Sequence, residues 1–129
     1  MTAPATCRNA VTRRSLIEPF RDFAFGELAG APPWQPGVCF HPDCSRQFEP
    51  ARDWQMFCCS ACEARSKAEM RAWGHRMALP LLIHRTGKYE KNDEAVRALN
   101  RSARRYVTQA QSAWLLDRQN RRESSGEQT

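Results

Sequence analysis

The stretch FCCSAC, residues 57–62, sets two cysteines side by side and a third three positions on. The nearest upstream cysteines are Cys39 and Cys44, four residues apart in the sense Cys-x4-Cys, and thirteen residues separate Cys44 from Cys58. Two pairs of thiols divided by a hairpin-sized segment is the arithmetic of a tetrahedral zinc site. Zinc imposes no d-electron geometry, so four thiolates satisfy it. Sulfurs at i and i+3, or i and i+4, of a helix start lie on one face, and a helix N-terminus favours the thiolate form. Spacing alone leaves alternatives open. Either Cys58 or Cys59 can join Cys62, and His41 with Cys44 can replace Cys39 with Cys44. Cys7 stands apart near the N-terminus and reads as a bystander.

The rest of the composition agrees with a metal-stapled protein. The chain has 129 residues, 41% hydrophobic, and a mean hydropathy of −0.71. That leaves room for one modest domain with a thin core, which a structural metal would help to hold. The N-terminal residues show no apolar run of signal-peptide length, and ALPLLI (78–83) falls far short of a membrane span. A cytoplasmic protein with no membrane partner is expected. In a reducing compartment, spaced cysteines bind metal more often than they form disulfides.

Four regions are expected. Residues 1–37 form an N-terminal arm. In it Ser15 and Glu18 fit a capping box opening a short helix with Leu16, Phe20 and Phe23 on one side, followed by the Pro/Gly-rich AGAPPWQPG, in which Trp34 pins the loop. Residues 38–79 form the metal-binding unit. Alternating aromatics (Phe40, Phe48, Trp54, Phe57) predict short strands with tight turns, and a helix is predicted from Ser60 to Ala78, ahead of Pro80. Residues 80–120 hold a connector and a long helix. LPLLIH predicts a buried strand or extended link, TGK a turn, and Asn92 an N-cap opening a helix to about Gln119. Its apolar stripe is predicted as Val96, Leu99, Ala103, Tyr106, Ala110 and Ala113. Residues 121–129 are expected to be a disordered tail.

CFHPDCSRQF (39–48) followed by WQMFCCSACEARSKA (54–68) resembles the treble-clef zinc fingers of the FCS and CGNR kinds over residues 39–76. Phe48 matches the phenylalanine four places after the second cysteine of those fingers, and Phe57 the aromatic before the third. Arg65, Lys67 and Ala68 are similar to the R-x-K-A that follows the fourth. Ser45 stands where they carry glycine, and Glu63-Ala64 where the CGNR kind carries glycine-asparagine. The resemblance implies Zn2+ held by Cys39, Cys44, Cys58 and Cys62, with Cys59 in a place usually held by serine. It also implies a small α+β fold: a zinc-clamped β-hairpin plus helix, treble-clef-like, here followed by the long amphipathic C-terminal helix.

Twenty basic against fourteen acidic residues give a formal charge of +6. Ten basic and six acidic residues fall within 79–129, so the excess lies in the C-terminal arm. On a helical wheel Arg97, Arg101, Arg104 and Arg105 share a face away from the apolar stripe. Asp93 is placed to pair with Arg97, whereas the other three have no acid three or four places away. A polyanion would relieve their mutual repulsion, and the guanidinium fork suits phosphate. Lys67 and Arg71, neighbours on the finger helix, are candidate backbone contacts. The resemblance adds that such fingers are often attached to DNA-binding regulators. The expected function is therefore zinc-stabilised nucleic-acid binding. The alternative is a protein-interaction adaptor using the C-terminal helix, including a homodimer through its apolar stripe. A closed four-thiolate site and unpaired histidines (His75, His84) predict no enzyme, a nuclease included.

Overall fold

A computed structural model of the chain describes residues 17–127. The expected Ser15 cap, Leu16 and Cys7 lie outside the described residues. Two long helices dominate: α2 (Ser60–Gly87) and α3 (Glu94–Glu127), packed as an antiparallel hairpin. Ahead of them, a single turn α1 (Phe20–Phe23) follows Pro19 and runs into a π-helical turn (Ala24–Leu28), closed by Ala29 N–H donating to Ala24 O.

The expected α+β fold is overturned. Among the described residues there is no β-strand, only an isolated antiparallel bridge between Val38 and Gln47. The backbone of 38–57 instead makes scattered pairings. Cys39 N–H donates to Arg46 O, Phe40 N–H to Met56 O, and Phe48 N–H to Gly37 O. Pro42 and Pro50 lack donors, which breaks any ladder. The aromatic alternation reflects packing around the thiols. Phe57 is buried and meets Phe40 edge-on at 6.0 Å, and Phe40, Phe48, Met56 and Met70 surround Cys39 and Cys62. Trp34 is buried, as its loop-pinning role requires.

The break expected before Pro80 is absent, for α2 continues to Gly87. Pro80 removes one helical hydrogen bond and crowds the carbonyl four residues back, at a cost of about 3 kcal/mol in an isolated helix. Packing along the hairpin offsets this. Trp73 and Trp114 stack with ring planes 4° apart, Met77 meets Val107 and Ala110, and Asn100 Nδ2 donates to His84 O at 2.7 Å. LPLLIH is therefore neither strand nor buried: Leu79 and Leu82 are 65% and 67% exposed.

Gly87 allows the helices to close at the loop. A Cβ there would lie 3.1 Å from Val96 Cγ1 and 3.3 Å from Asn100 Cβ. The cap of α3 falls one residue later than Asn92. Asp93 Oδ1 accepts hydrogen bonds from Ala95 and Val96 N–H, so Asp93 serves the cap rather than Arg97.

The buried edge of α3 keeps Val96, Ala103 and Ala110 of the expected stripe but not Leu99, Tyr106 and Ala113, which are exposed. Ala103, Val107, Ala110 and Arg118 are buried, and Val96, Asn100 and Trp114 are half-buried beside them. Leu99, in the expected stripe, is 58% exposed. The inward row steps four, three, four, three, four and four residues from Val96 to Arg118. The residues expected as a tail continue the helix to Glu127 and dock against the cysteine-bearing loop.

Candidate metal centre

The loop ahead of α2 and the first turn of that helix bring four thiols to one point. Cys39 and Cys44 flank a tight turn, His41–Ser45, in which Cys44 and Ser45 N–H both donate to His41 O. Ser45 adopts φ +52°, the left-handed region that favours glycine, and its hydroxyl donates to Pro42 O at 2.9 Å. This is the position where the resembled fingers carry glycine. Cys58 precedes α2, and Cys62 lies in its first turn.

The thiols of Cys39, Cys44, Cys58 and Cys62 lie within 4.8 Å of one another. Cys44 and Cys58 sulfurs are 3.7 Å apart, and Cys58 and Cys62 sulfurs 3.8 Å. A tetrahedral ion with zinc–sulfur bonds of about 2.3 Å sets its ligand sulfurs about 3.8 Å apart. The donor set and its spacing therefore fit a tetrahedral metal ion, which could be held with no position left for water. The backbone N–H of Cys58 also points at Cys39 Sγ, 3.4 Å away, the kind of bond that stabilises a thiolate.

Electrostatics argue the same way. Without a cation, burial pushes the Cys58 thiol up to about 12, and burial also pushes Cys62 up. Cys44, by contrast, is lowered: its burial is outweighed by hydrogen bonds from the Arg46 backbone and the neighbouring thiols. A bound dication would make the thiolates of Cys58 and Cys62 the favoured form as well.

The alternates fall outside the cluster. Cys59 is exposed at the N-cap of α2, where backbone N–H groups of Cys62 and Ala61 lower its thiol. His41 is only 2% exposed, but its Nδ1 lies 3.1 Å from Ser66 Oγ. Its Nε2 approaches Asp43 Oδ2 at 3.5 Å, inside ion-pair range, but has no hydrogen-bond partner among the described residues. Burial, then the Arg65 charge, lowers His41, so the ring is neutral near pH 7.

Sequence reasoning missed the clamp that ties this loop to the hairpin. Glu69 Oε2 accepts from Trp114 Nε1 (2.8 Å) and Arg118 Nη1 (2.9 Å), and Glu69 Oε1 accepts from Arg121. Arg121 also grips both carboxylate oxygens of Asp43, at 2.8 and 3.1 Å. Arg118 and Arg122 donate to Phe40 O, and the Ser125 hydroxyl reaches Pro42 O and Asp43 O. The available signal is the inward row itself, which runs past Trp114 once Arg118 is admitted as a buried residue.

The expected basic residues do not form one patch. Arg97, Arg101, Arg104 and Arg105 are exposed on α3 near the hairpin loop. Glu94 neutralises part of that face, pairing with Arg101 at 2.8 Å and Arg97 at 3.6 Å. Arg104 and Arg105 make no ion pair among the described residues. Lys67, paired with Glu63, and Arg71 lie nearer the cysteine end. At 1.5 Å per residue, Arg71 and Arg104 are separated by about 15–20 Å along the hairpin.

The fold and site define a helical hairpin carrying a four-cysteine cluster that could hold a metal ion. No helix among the described residues is long and apolar enough to cross a membrane. Comparison with family models, curated proteins and solved structures finds no match to the chain.

Proposed function

We propose that the chain is a zinc-stabilised nucleic-acid-binding protein. In this reading the ion is Zn2+, it is structural, and it is held by Cys39, Cys44, Cys58 and Cys62. Its contribution when bound is to lock the loop that α3 docks against. The observation that carries nucleic-acid binding is the pair Arg104–Arg105. Two adjacent exposed guanidiniums without a carboxylate partner among the described residues continue the face of Arg97 and Arg101. Phosphates would accept from them bidentately and release counterions. The resemblance of residues 39–76 to fingers attached to DNA-binding regulators supports the same reading.

The test is fluorescence anisotropy with a duplex DNA and a single-stranded RNA across a salt series. Binding should weaken steeply with salt. Arg104→Ala with Arg105→Ala should reduce the slope of log K against log salt by about 0.7–0.9 for each phosphate no longer neutralised. Salt-independent binding, or an unchanged slope in the double variant, would overturn the reading.

The exposed row of Leu99 and Tyr106 favours a second reading, an adaptor or homodimer through α3. Leu99→Asp, at a site the fold does not bury, should then abolish association measured by sedimentation while metal content stays the same. A native chain that remains monomeric and binds no protein would remove this reading.

A further inference from the structure

An apolar groove of about 890 Å³ runs between the N-terminal segment, the cysteine-bearing loop and the first turns of α2. Its floor includes Ala24, Leu28, Trp34, Phe40, Met56 and Met70. Arg21, Arg52 and Lys67 line it together with a single acid, Glu63. Glu63 is already matched to Lys67 at 2.7 Å. Arg21 and Arg52 stack on Trp54, at 4.5 and 5.6 Å from its ring centre, and neither makes an ion pair among the described residues. The groove is therefore an apolar trough with two cations at its edge, each stacked on Trp54 and outside any ion pair among the described residues. The buried indole N–H of Trp34, which lines the trough, also has no acceptor among the described residues.

Charge decides between occupants. Residues 1–16 of the chain carry Arg8, Arg13 and Arg14 and no acid, so they would be repelled by Arg21 and Arg52. A second copy brings a formal charge of +6 to the same cations. An occupant with apolar side chains and carboxylates satisfies both floor and edge. We propose that this groove docks an acidic amphipathic segment of a partner protein, its apolar side chains against Leu28, Trp34 and Met56 and its carboxylates on Arg21 and Arg52. Groove capture of an amphipathic segment needs this combination of apolar pocket and polar border. The inference does not depend on nucleic-acid binding, which rests on the far end of the hairpin.

The test screens a random-peptide display library against the metal-loaded full chain. Enriched peptides should combine Leu, Phe or Trp with Asp or Glu. Their affinity should fall at least about tenfold on Leu28→Asp and on Arg21→Glu with Arg52→Glu. Leu28, Arg21 and Arg52 are exposed. Helical circular dichroism and metal content of the variants check that they fold. No enrichment, enrichment of neutral or lysine-rich peptides, or undiminished binding to Leu28→Asp would each overturn the proposal. Saturable binding of dodecanoate with no peptide enriched would make the groove an acyl-chain site and overturn it as well.

Discussion

Arg118 donates a 2.7 Å hydrogen bond to the backbone carbonyl of Phe40 and lies 4.2 Å above the ring of the same residue. One side chain thus joins α3 to the cysteine-bearing loop, and through Glu69 it joins both to α2. It is 8% exposed. Removing Arg118 takes away one charge-assisted bond to Glu69, which keeps Arg121 and Trp114, and one bond to the Phe40 carbonyl, which keeps Arg122. A hydrogen bond to a charged group contributes about 1.5–3 kcal/mol. Arg118→Met should therefore lower stability by about that amount in chemical unfolding. Arg118→Met with Glu69→Gln should cost less than the sum of the two single variants, because both remove the same Arg118–Glu69 bond. A single variant within about 1 kcal/mol of the native protein would contradict the clamp.

Glu69 also sets an acid dependence. Burial alone would raise its carboxyl, but hydrogen bonds from Trp114, Arg121 and Arg118 outweigh it and hold the group below its ordinary value. Arg121 is shared with Asp43 and Asp117, so all the charges facing Glu69 from α3 and the loop remain opposite or already paired. A depressed folded value contributes stability above the unfolded value, near 4.5, that is lost as pH falls through the folded value. The stability gap between native protein and Glu69→Gln should accordingly be largest near neutral pH and narrow below about pH 4.5. Unfolding curves of both proteins at several pH values check this. A gap that widens in acid would show that Glu69 is not held ionised by the clamp.

The cysteine cluster is legible in the sequence because metal ligation depends on residue type and spacing, which a sequence displays directly. The expected strands fail because Phe40, Phe48 and Phe57 alternate to pack around sulfur rather than to follow a pleat. Pro80 misleads for a related reason, since its local cost is visible in sequence while the Trp73–Trp114 stack that offsets it is a contact between helices. The buried stripe on α3 shares Val96, Ala103 and Ala110 with the expected one but takes Asn100 and Val107 in place of Leu99 and Tyr106, because Leu99 and Tyr106 look like core whereas Asn100 and Arg118 do not. Asn100 holds its inward place by bonding His84 O, and Arg118 by bonding Glu69 and Phe40.

Gly87 offers a sharp test of the hairpin's close end. Replacing glycine by alanine inside a helix ordinarily stabilises by about 0.5–1 kcal/mol. Here the new Cβ would meet Val96 Cγ1 at 3.1 Å and Asn100 Cβ at 3.3 Å. Gly87→Ala should therefore be destabilising, and Gly87→Ala with Val96→Ala should show a favourable coupling in a double-mutant cycle. Ordinary alanine stabilisation with no coupling would mean that the helices do not approach this closely.

Metal removal should act at a distance from the sulfurs, and its pattern follows from what α3 holds. The acceptors for Arg118, Arg122 and Ser125 are the carbonyls of Phe40, Pro42 and Asp43, which lie between the first two cysteines of the cluster. Chelation frees that loop, so the end of α3 loses the bonds that dock it. Val107 and Ala110 are held independently by Met77, with Ala103 buried one turn before them, and this segment should persist. Hydrogen exchange should accelerate over residues 118–126 after chelation while residues 103–110 keep their protection. Cys58→Ser should reproduce the chelated pattern and reduce bound zinc. Cys59→Ser, outside the cluster, should leave one zinc per chain and an unchanged exchange profile. Equal protection along α3 with and without metal would separate the helix from the cluster, and loss of zinc on Cys59→Ser would reassign the third ligand.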